Sequence, residues 1–592
     1  MSKPLVDPPD TGKAHAGIRE LFFGDLHVHT SLSADAYIMG VRSTPNDAYV
    51  FAKGGAIQHS LGYPIRLRQG LDFAAVTDHA EYLGQAALAD MPVPSVERSL
   101  RAILQEGSRV SITRAWLRTT LFVNNNRLQF DDLDSRINRS AWQQVIDAAE
   151  RHNEPGVFTT FIGYEWSAWG DSLRIHRHRN VIYRGSNVAE APFSALDSSR
   201  PEDLWAFLDR ERQSGRLAMA IPHNSNLSAG GMYPSRDSDG QDFDSKYAER
   251  RNRYEPISEI FQIKGQSETH PLLSSDDDFA SFELASMKLF GRDTLQDVRG
   301  SYARDALRSG IALAQAQGFN PFQFGVIGSS DSHNSSSPVE EDTYHGKLPM
   351  LDGTAALRTN AATYVPNRFT PARRWGSGGL AAIWAEENTR AALFDALQRR
   401  ETYATSGPRI RLRFFAGWDY EPTMLTSPDL IEMADRGGVP MGSTLHHLRG
   451  SASPKFLVMA TKDPNSANLD RIQIIKGWVD AQGRSFERII DIAASDDRLP
   501  DPDTLRVAPL TSTVNATEAS YQNTIGAKHL EVLWEDKNFD PDQPCFYYAR
   551  VLEIPTPRWS TYDAKRLGQK PMHPTEIQER AVGSAIWFSP DR

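Results

Sequence analysis

The chain has 592 residues, with 65 Lys and Arg against 75 Asp and Glu, a net charge of −10 with histidine neutral. That mild acidity excludes a basic nucleic-acid-binding surface spread over the whole protein, and no nucleic-acid partner is expected. Hydrophobic residues make up 40% and charged residues 24%, an ordinary soluble composition that argues against bulk disorder and is long enough for several domains.

Residues 1–19 open polar (MSKPLVDPPDTGKAHAG), with no apolar h-region, and read as a tail. No run approaches about 18 apolar residues, so the expectation is a cytoplasmic protein with no membrane span. Residues 21–26 (LFFGDL) read as a strand and 45–53 as a helix opening after Thr44. Residues 72–77 (DFAAVT) form a second strand, and 141–152 have helical spacing. Strands follow at 157–164 (VFTTFIGY), 180–183 (NVIY), 217–221 (LAMAI), 259–263 (EIFQI) and 324–328 (FGVIG). Helices fall between several of them: 201–212, which starts at proline, 302–316, and later 387–400. Strands alternating with helices imply βαβ units and a parallel sheet, over this length a barrel at residues 20–408. After about residue 405 the runs IRLRFF, KFLVMA, RIQIIK, RIIDI, LEVLW and FYYARV are separated by Gly, Asp and Pro clusters. They predict a mostly antiparallel β-sandwich over residues 409–592. The Asp-rich stretch at 274–278 reads as a solvated loop.

The only cysteine, Cys545, excludes a disulfide framework and thiolate-rich metal sites, so a metal must rest on histidine and carboxylate. In a βα barrel, functional side chains sit at the C-terminal ends of strands. Here LFFGDL runs into His27 and His29, whose two-residue spacing points both rings to one side of an extended chain. Asp35 follows; DFAAVT ends at Asp78 and His79; VFTTFIGY ends at Glu165; LAMAI leads to His223; FGVIG leads to Asp331 and His333. His178 is the exception, because it opens a strand. This set of imidazoles and carboxylates suits two or three divalent ions such as Mn, Zn or Fe, with Glu165 or Asp331 bridging. Glu165, Asp331 and His79 are the expected catalytic core of the set. Asp25 and Asp78 are candidates for orienting imidazoles. Asn224, Asn334, Lys264 and Arg409 are candidates for substrate contact. Trp166 and Trp169 read first as packing and second as an aromatic pocket wall. His446 and His447 read as a surface pair in a turn.

These same segments carry a resemblance. Gly24-Asp-Leu-His-Val-His29, Thr77-Asp-His79, Gly163-Tyr-Glu165, His178, Pro222-His223 and Gly328-Ser-Ser-Asp331-Ser-His333 resemble the polymerase-and-histidinol-phosphatase (PHP) superfamily of metal-dependent phosphoesterases. More closely, residues 23–29 (FGDLHVH), 261–268 (FQIKGQSE), 402–409 (TYATSGPR) and 555–559 (PTPRW) look like the branch known as domain of unknown function 3604. The resemblance implies an α/β fold with a distorted (β/α)7 TIM-like barrel. It implies a di- or trinuclear centre held by His27, His29, Asp35, His79, Glu165, His178, His223, Asp331 and His333. The long interval from His29 to His79 departs from the superfamily and implies an insertion over part of the site. His178 is preferred over the nearby His176 as the ligand. Lys264 stands where a His or Asn is expected.

The expected activity is hydrolysis of phosphomono- or phosphodiesters by metal-bound hydroxide on a small, anionic ester. A non-phosphate ester, lactone, amide or sulfate ester suits the same centre, and a non-catalytic metal-containing binding protein is the reading from another class. The C-terminal region is a candidate surface for a homo-oligomer.

Overall fold

The computed structural model describes residues 19–88, 135–169, 175–285, 298–359, 375–446 and 453–590. Most of the N-terminal tail, and His447, lie outside them. The first strands in chain order are β1 (Glu20–Val28), β2 (Phe73–Val76), β3 (Thr159–Trp166), β4 (Arg179–Tyr183), β5 (Ala218–Pro222), β6 (Ile257–Phe261) and β7 (Gly325–Gly328). Then come β8 (Leu380–Ala385), β9 (Thr402–Thr405), β10 (Arg411–Gly417), β11 (Lys455–Thr461), β12 (Leu469–Val479) and β13 (Ser485–Ala494). The last are β14 (His529–Glu535), β15 (Cys545–Glu553), β16 (Arg580–Gly583) and β17 (Ile586–Phe588). The longer helices are α1 (Pro45–Ala52), α2 (Ser135–His152), α3 (Pro201–Gln213), α4 (Ser245–Tyr254), α5 (Ala303–Gln317) and α6 (Arg390–Arg399).

The fold is mixed α/β around one large sheet. Its hydrogen-bonded path runs β17-β15-β16-β9-β8-β1-β2-β3-β4-β5, with β12 and β13 branching from β15. β6 and β7 form a separate parallel pair. The sheet is not parallel throughout, as the alternating pattern suggested. β1, β2 and β3 run parallel, but β4 is antiparallel to both β3 and β5. Among its described residues, 167–169 and 175–178, the connection from β3 to β4 shows no helix, and parallel neighbours need a crossover. β8 and β9, which the sequence reading missed, pair antiparallel between β1 and β16. Through β9 and β16 the first and last thirds of the chain share one sheet.

Local chemistry explains the main elements. α1 starts where Thr44 and Asp47 form a reciprocal capping box ahead of Pro45, as expected from Thr44. α5 ends at Gly318, whose φ of 85° only glycine adopts without strain. β2, β3 and β4 are buried along their whole length, which is why they read as continuous apolar runs. α1 and α2 cover them through Tyr49, Phe51, Trp142 and Val145. In the C-terminal region, β10, β11, β14 and residues 438–440 form a second, antiparallel sheet. It shares a core with the large sheet through Phe414, Phe456, Ile472 and Tyr547.

The stretch 274–278 is not simply a solvated loop. Asp277 is 5% exposed and pairs with two fully buried arginines, Arg304 at 2.8 Å and Arg550 at 2.7 Å. Glu268 pairs with the same two at 2.6 and 3.0 Å. Tyr548 adds its hydroxyl to Glu268 at 2.8 Å. Two carboxylates match the two guanidinium groups here, and Glu487 approaches Arg304 at 3.7 Å from the edge of the network.

Candidate metal centre

The site lies at the C-terminal ends of β1, β2, β3 and β5. His27 and His29, both 0% exposed, leave the end of β1 on one side. The chain after β7 is laced to them: Asp331 N donates to His27 O at 2.9 Å and His29 N donates to Ser332 O at 2.8 Å. His79, just beyond β2, forms a parallel bridge with Glu165 at the end of β3. The His178 exception now has a cause. Because β4 runs antiparallel, its start lies beside the end of β3, with Asn180 opposite Glu165. His223 follows β5, and its N–H donates to His178 O at 3.2 Å. Asn224 and Asp331 hold φ of 56° and 53°, a left-handed conformation costly for such residues and frequent at functional sites.

Glu165, 1% exposed, is the hub. Its Oε1 lies 2.5 Å from His178 Nδ1 and 3.1 Å from His223 Nε2. Its Oε2 lies 3.1 Å from His29 Nε2, 3.3 Å from His79 Nδ1 and 3.4 Å from His27 Nε2. Asp331 Oδ1 approaches His27 at 3.5 Å and His29 at 3.6 Å. Asp35 Oδ2 lies 3.1 Å from His333 Nε2 and 3.4 Å from His79 Nε2. The structure therefore brings all nine expected ligands into one continuous cluster.

The donor set fits divalent ions. Four groups have ligand atoms close enough to surround one: His29, His79 and His333; His27, His29 and Glu165; Glu165, His178 and His223; and His27, His223 and Glu259. The ring atoms His178 Nε2 and His223 Nδ1 are buried without a hydrogen-bond partner. Such atoms are costly to bury unless a ligand takes them. Burial acts to raise the Glu165 carboxyl, but His79, His223 and His178 hold it well below the usual carboxylate range, so it is ionised. Asp331 is likewise held down against burial by Lys264 and Lys347.

Outside the ligands, the sequence reading is partly redrawn. Asp25 and Asp78 touch no imidazole. Asp25 accepts from His27 N at 3.0 Å and Ser330 N at 3.1 Å, so it ties together the backbones of two ligand segments. Burial pushes its carboxyl up to about 6. Asp78 accepts from Ser33 Oγ at 2.7 Å, and Ser33 Oγ lies 2.9 Å from His29 Nδ1, so its reach to the ring is relayed through a serine. The carboxylate that does hold a ring is Glu259, 2.9 Å from His27 Nδ1. Sequence reasoning missed it, although an acid inside the apolar run ISEIF was a usable signal.

Lys264 pairs with Asp331 Oδ2. Asn224 is 3.5 Å from the same oxygen and also accepts from Gln262. Asn334 donates to Gly346 O at 2.8 Å, and its own carbonyl oxygen is buried without a partner. Arg409 is not brought to the cluster. It donates to the carbonyls of Gln69 and Gly70 and lines a separate cavity of about 280 Å³ with Arg68, Glu340 and Asp463. The His176 ring lies 4.7 Å from that of His178, tilted at 47°, but does not touch Glu165 in any described contact. Trp166 is packing, its indole N–H on Ser198 O at 3.1 Å, whereas the Trp169 ring stands 4.6 Å from His178. His446 is exposed.

The chain belongs to the family described as protein of unknown function (DUF3604), whose model matches residues 16–590. No curated protein matches it. Among solved structures, one from Bacteroides vulgatus ATCC 8482 is similar over 88% of this chain and 87% of its own, at 11% identity and a TM-score of 0.29. It is titled a two-domain protein containing a predicted PHP-like metal-dependent phosphoesterase. Among the described residues, no helix is long and apolar enough to cross a membrane.

Proposed function

We propose that this protein is a metal-dependent hydrolase whose substrates are phosphomono- or phosphodiesters. One observation carries the reading: histidines from the ends of separate strands converge on the single buried carboxylate of Glu165, with ring nitrogens left unpartnered. The ions would be held by His27, His29, His79, His178, His223 and His333 around Glu165, with Asp35 and Asp331 at the edges. Divalent cations there supply a Lewis acid for phosphoryl oxygens and lower the pKa of water. The chain itself contributes orientation. Glu259 and the Ser33–Asp78 pair fix the His27 and His29 rings, and Trp169 walls one side. In fold terms, β1 to β7 with their helices are read as a distorted (β/α)7 barrel, and residues 409–592 as a β-sandwich behind it. The Val28–Ser332 bridge, which links β1 to the chain after β7, and the shared core of the two C-terminal sheets support this.

The test is metal analysis of purified protein followed by a screen over phosphomonoesters, phosphodiesters, sulfate esters and carboxylic esters. Two or more equivalents of a divalent metal and turnover of a phosphoester are expected, both abolished in His27→Ala. A His27→Ala protein with full metal content and rate sinks the assignment. Turnover confined to sulfate or carboxylic esters keeps the centre and replaces the substrate.

A further inference from the structure

Two lysines stand against the ligand cluster without belonging to it. Lys264 follows β6, and Lys347 lies in the long connection after β7. Lys264 Nζ pairs with Asp331 Oδ2. Lys347 Nζ lies 2.6 Å from Asp331 Oδ1 and 2.7 Å from His333 Nδ1. Each oxygen of Asp331 therefore faces an ammonium group. Both lysines are nearly buried, at 7% and 3% exposed.

The pairing is lopsided. One carboxylate supplies one negative charge to two ammonium groups in a dry site. An ammonium carries three donors. Among the described residues, Asp331 is the one partner of Lys264 Nζ, so donors are left over in a place that water reaches poorly. Burying such donors costs free energy unless an acceptor comes to meet them. Asp331 Oδ1 also stands 3.5 Å from His27 Nε2 and 3.6 Å from His29 Nε2, so the carboxylate that aims the lysines lies at the edge of the ion site.

We infer that Lys264 and Lys347 form the anion-binding half of the site beside the ions: Lys264 has donors left for the charged oxygens of a phospho- or sulfo-ester, Lys347, whose Nζ also donates to Asp331 O, adds a second positive charge, and Asp331 positions both. The inference rests on the metal centre proposed above for what lies next to the anion, and it adds the residues that select for charge. Lysine acts here as a compact point charge. The lysines select anionic over neutral esters without themselves holding metal.

The experiment titrates inorganic phosphate, and separately inorganic sulfate, into the metal-containing full-length protein by calorimetry. Metal content is measured on the same samples. Wild type, Lys264→Gln, Lys347→Gln and the two Lys→Arg variants are compared. Each Gln variant is expected to bind the preferred anion about tenfold more weakly at unchanged metal content, through the loss of one positive charge beside the anion, with Arg restoring most of it. If a Gln variant loses its thermal unfolding transition, Lys→Met at that position is read in its place. Equal anion affinity in wild type and both Gln variants overturns the inference. Loss of metal in the Gln variants also overturns it, because it makes the lysines part of the metal scaffold. A wild type without metal that still binds phosphate through the lysines removes the proposed hydrolase and leaves the anion site standing.

Discussion

Glu165 can touch so many rings because it lies at the end of β3, with His79 just past the end of β2 on one side and His178 just before the start of the antiparallel β4 on the other. The ligands were legible in the sequence for the same reason. Strand ends compress chemistry into short strings such as DLHVH, TDH and SSDSH, and such strings have no equally economical structural explanation. Lys347 was not legible as a site residue, and Glu259 showed only as an acid inside an apolar run. Each stands alone in its segment, and its role exists only through a ring or carboxylate brought to it by the fold. Residues that orient a ligand commonly govern metal affinity by 10–100-fold. Glu259→Gln is therefore expected to lower affinity for the bound metal by about tenfold or more while the protein stays folded. Competition with a chelator measures this, and wild-type retention times would count against the orienting role.

A second residue-scale prediction concerns Glu553, far along the chain. It is 0% exposed, and its Oε1 has no partner, although Oε2 accepts from Ser466 at 2.7 Å. Burial, with Asp463 nearby, pushes its carboxyl up to about 8, against about 4.3 in an unfolded chain. Between those values the folded state binds the extra proton, so stability contributed by this group falls as pH rises from about 4.5 to 8. Glu553→Gln removes that slope. Urea unfolding should show the variant more stable by several kcal/mol at pH 8 and by only about 1 kcal/mol at pH 5. An equal shift at both pH values would falsify the assignment.

At the level of elements, β7 matters for what surrounds it. A Cβ on Gly328 would lie 2.6 Å from Thr405 O and 2.9 Å from Leu380 N, backbone atoms of β9 and β8 that cannot step aside. Gly328→Ala is expected to cost about 1–3 kcal/mol and to displace Asp331, three residues on, so the anion-facing side of the site should fail before the histidine side. Loss of phosphate binding with metal retained is the expected pattern; an unchanged unfolding midpoint excludes it. β8 and β9 themselves escaped the sequence reading. LAAIWA is half alanine, a residue that favours helix, and TYAT is too short to show a period. What makes both into strands is pairing with β1 and β16, information held elsewhere in the chain. The same applies to β4, whose direction is set by the connection before it and not by its own apolar run.

At the scale of the whole molecule, the buried arginines connect regions that the sequence separates widely. Arg304 opens α5, Arg550 lies in β15, and both close on Glu268 and Asp277. Removing one member leaves an unmatched charge in the interior, which costs about 3–5 kcal/mol. Arg550→Met is therefore expected to lower the urea midpoint strongly, and replacing Asp277 by Asn in the same chain should recover part of the loss. A single variant within 1 kcal/mol of wild type argues that the network is solvated. Glu268 belongs to the stretch FQIKGQSE, and Arg558 of the stretch PTPRW pairs bidentately with Glu283 at 2.7 Å. Those family-like segments thus join the middle of the chain to its C-terminal region, which no local reading of them could reveal.

The shared sheet also sets a timetable for biosynthesis. Glu20 has to wait for Ala385, and Tyr403 for Gly583, before either finds its partner. A ribosome adds about 5–20 residues per second, so β9 spends on the order of ten seconds or more as an open edge on the nascent chain. Open edges recruit other strands. Newly made copies are therefore most prone to aggregate just before termination, and holding β9 apart from its neighbours until residues 580–583 emerge is work for a chaperone.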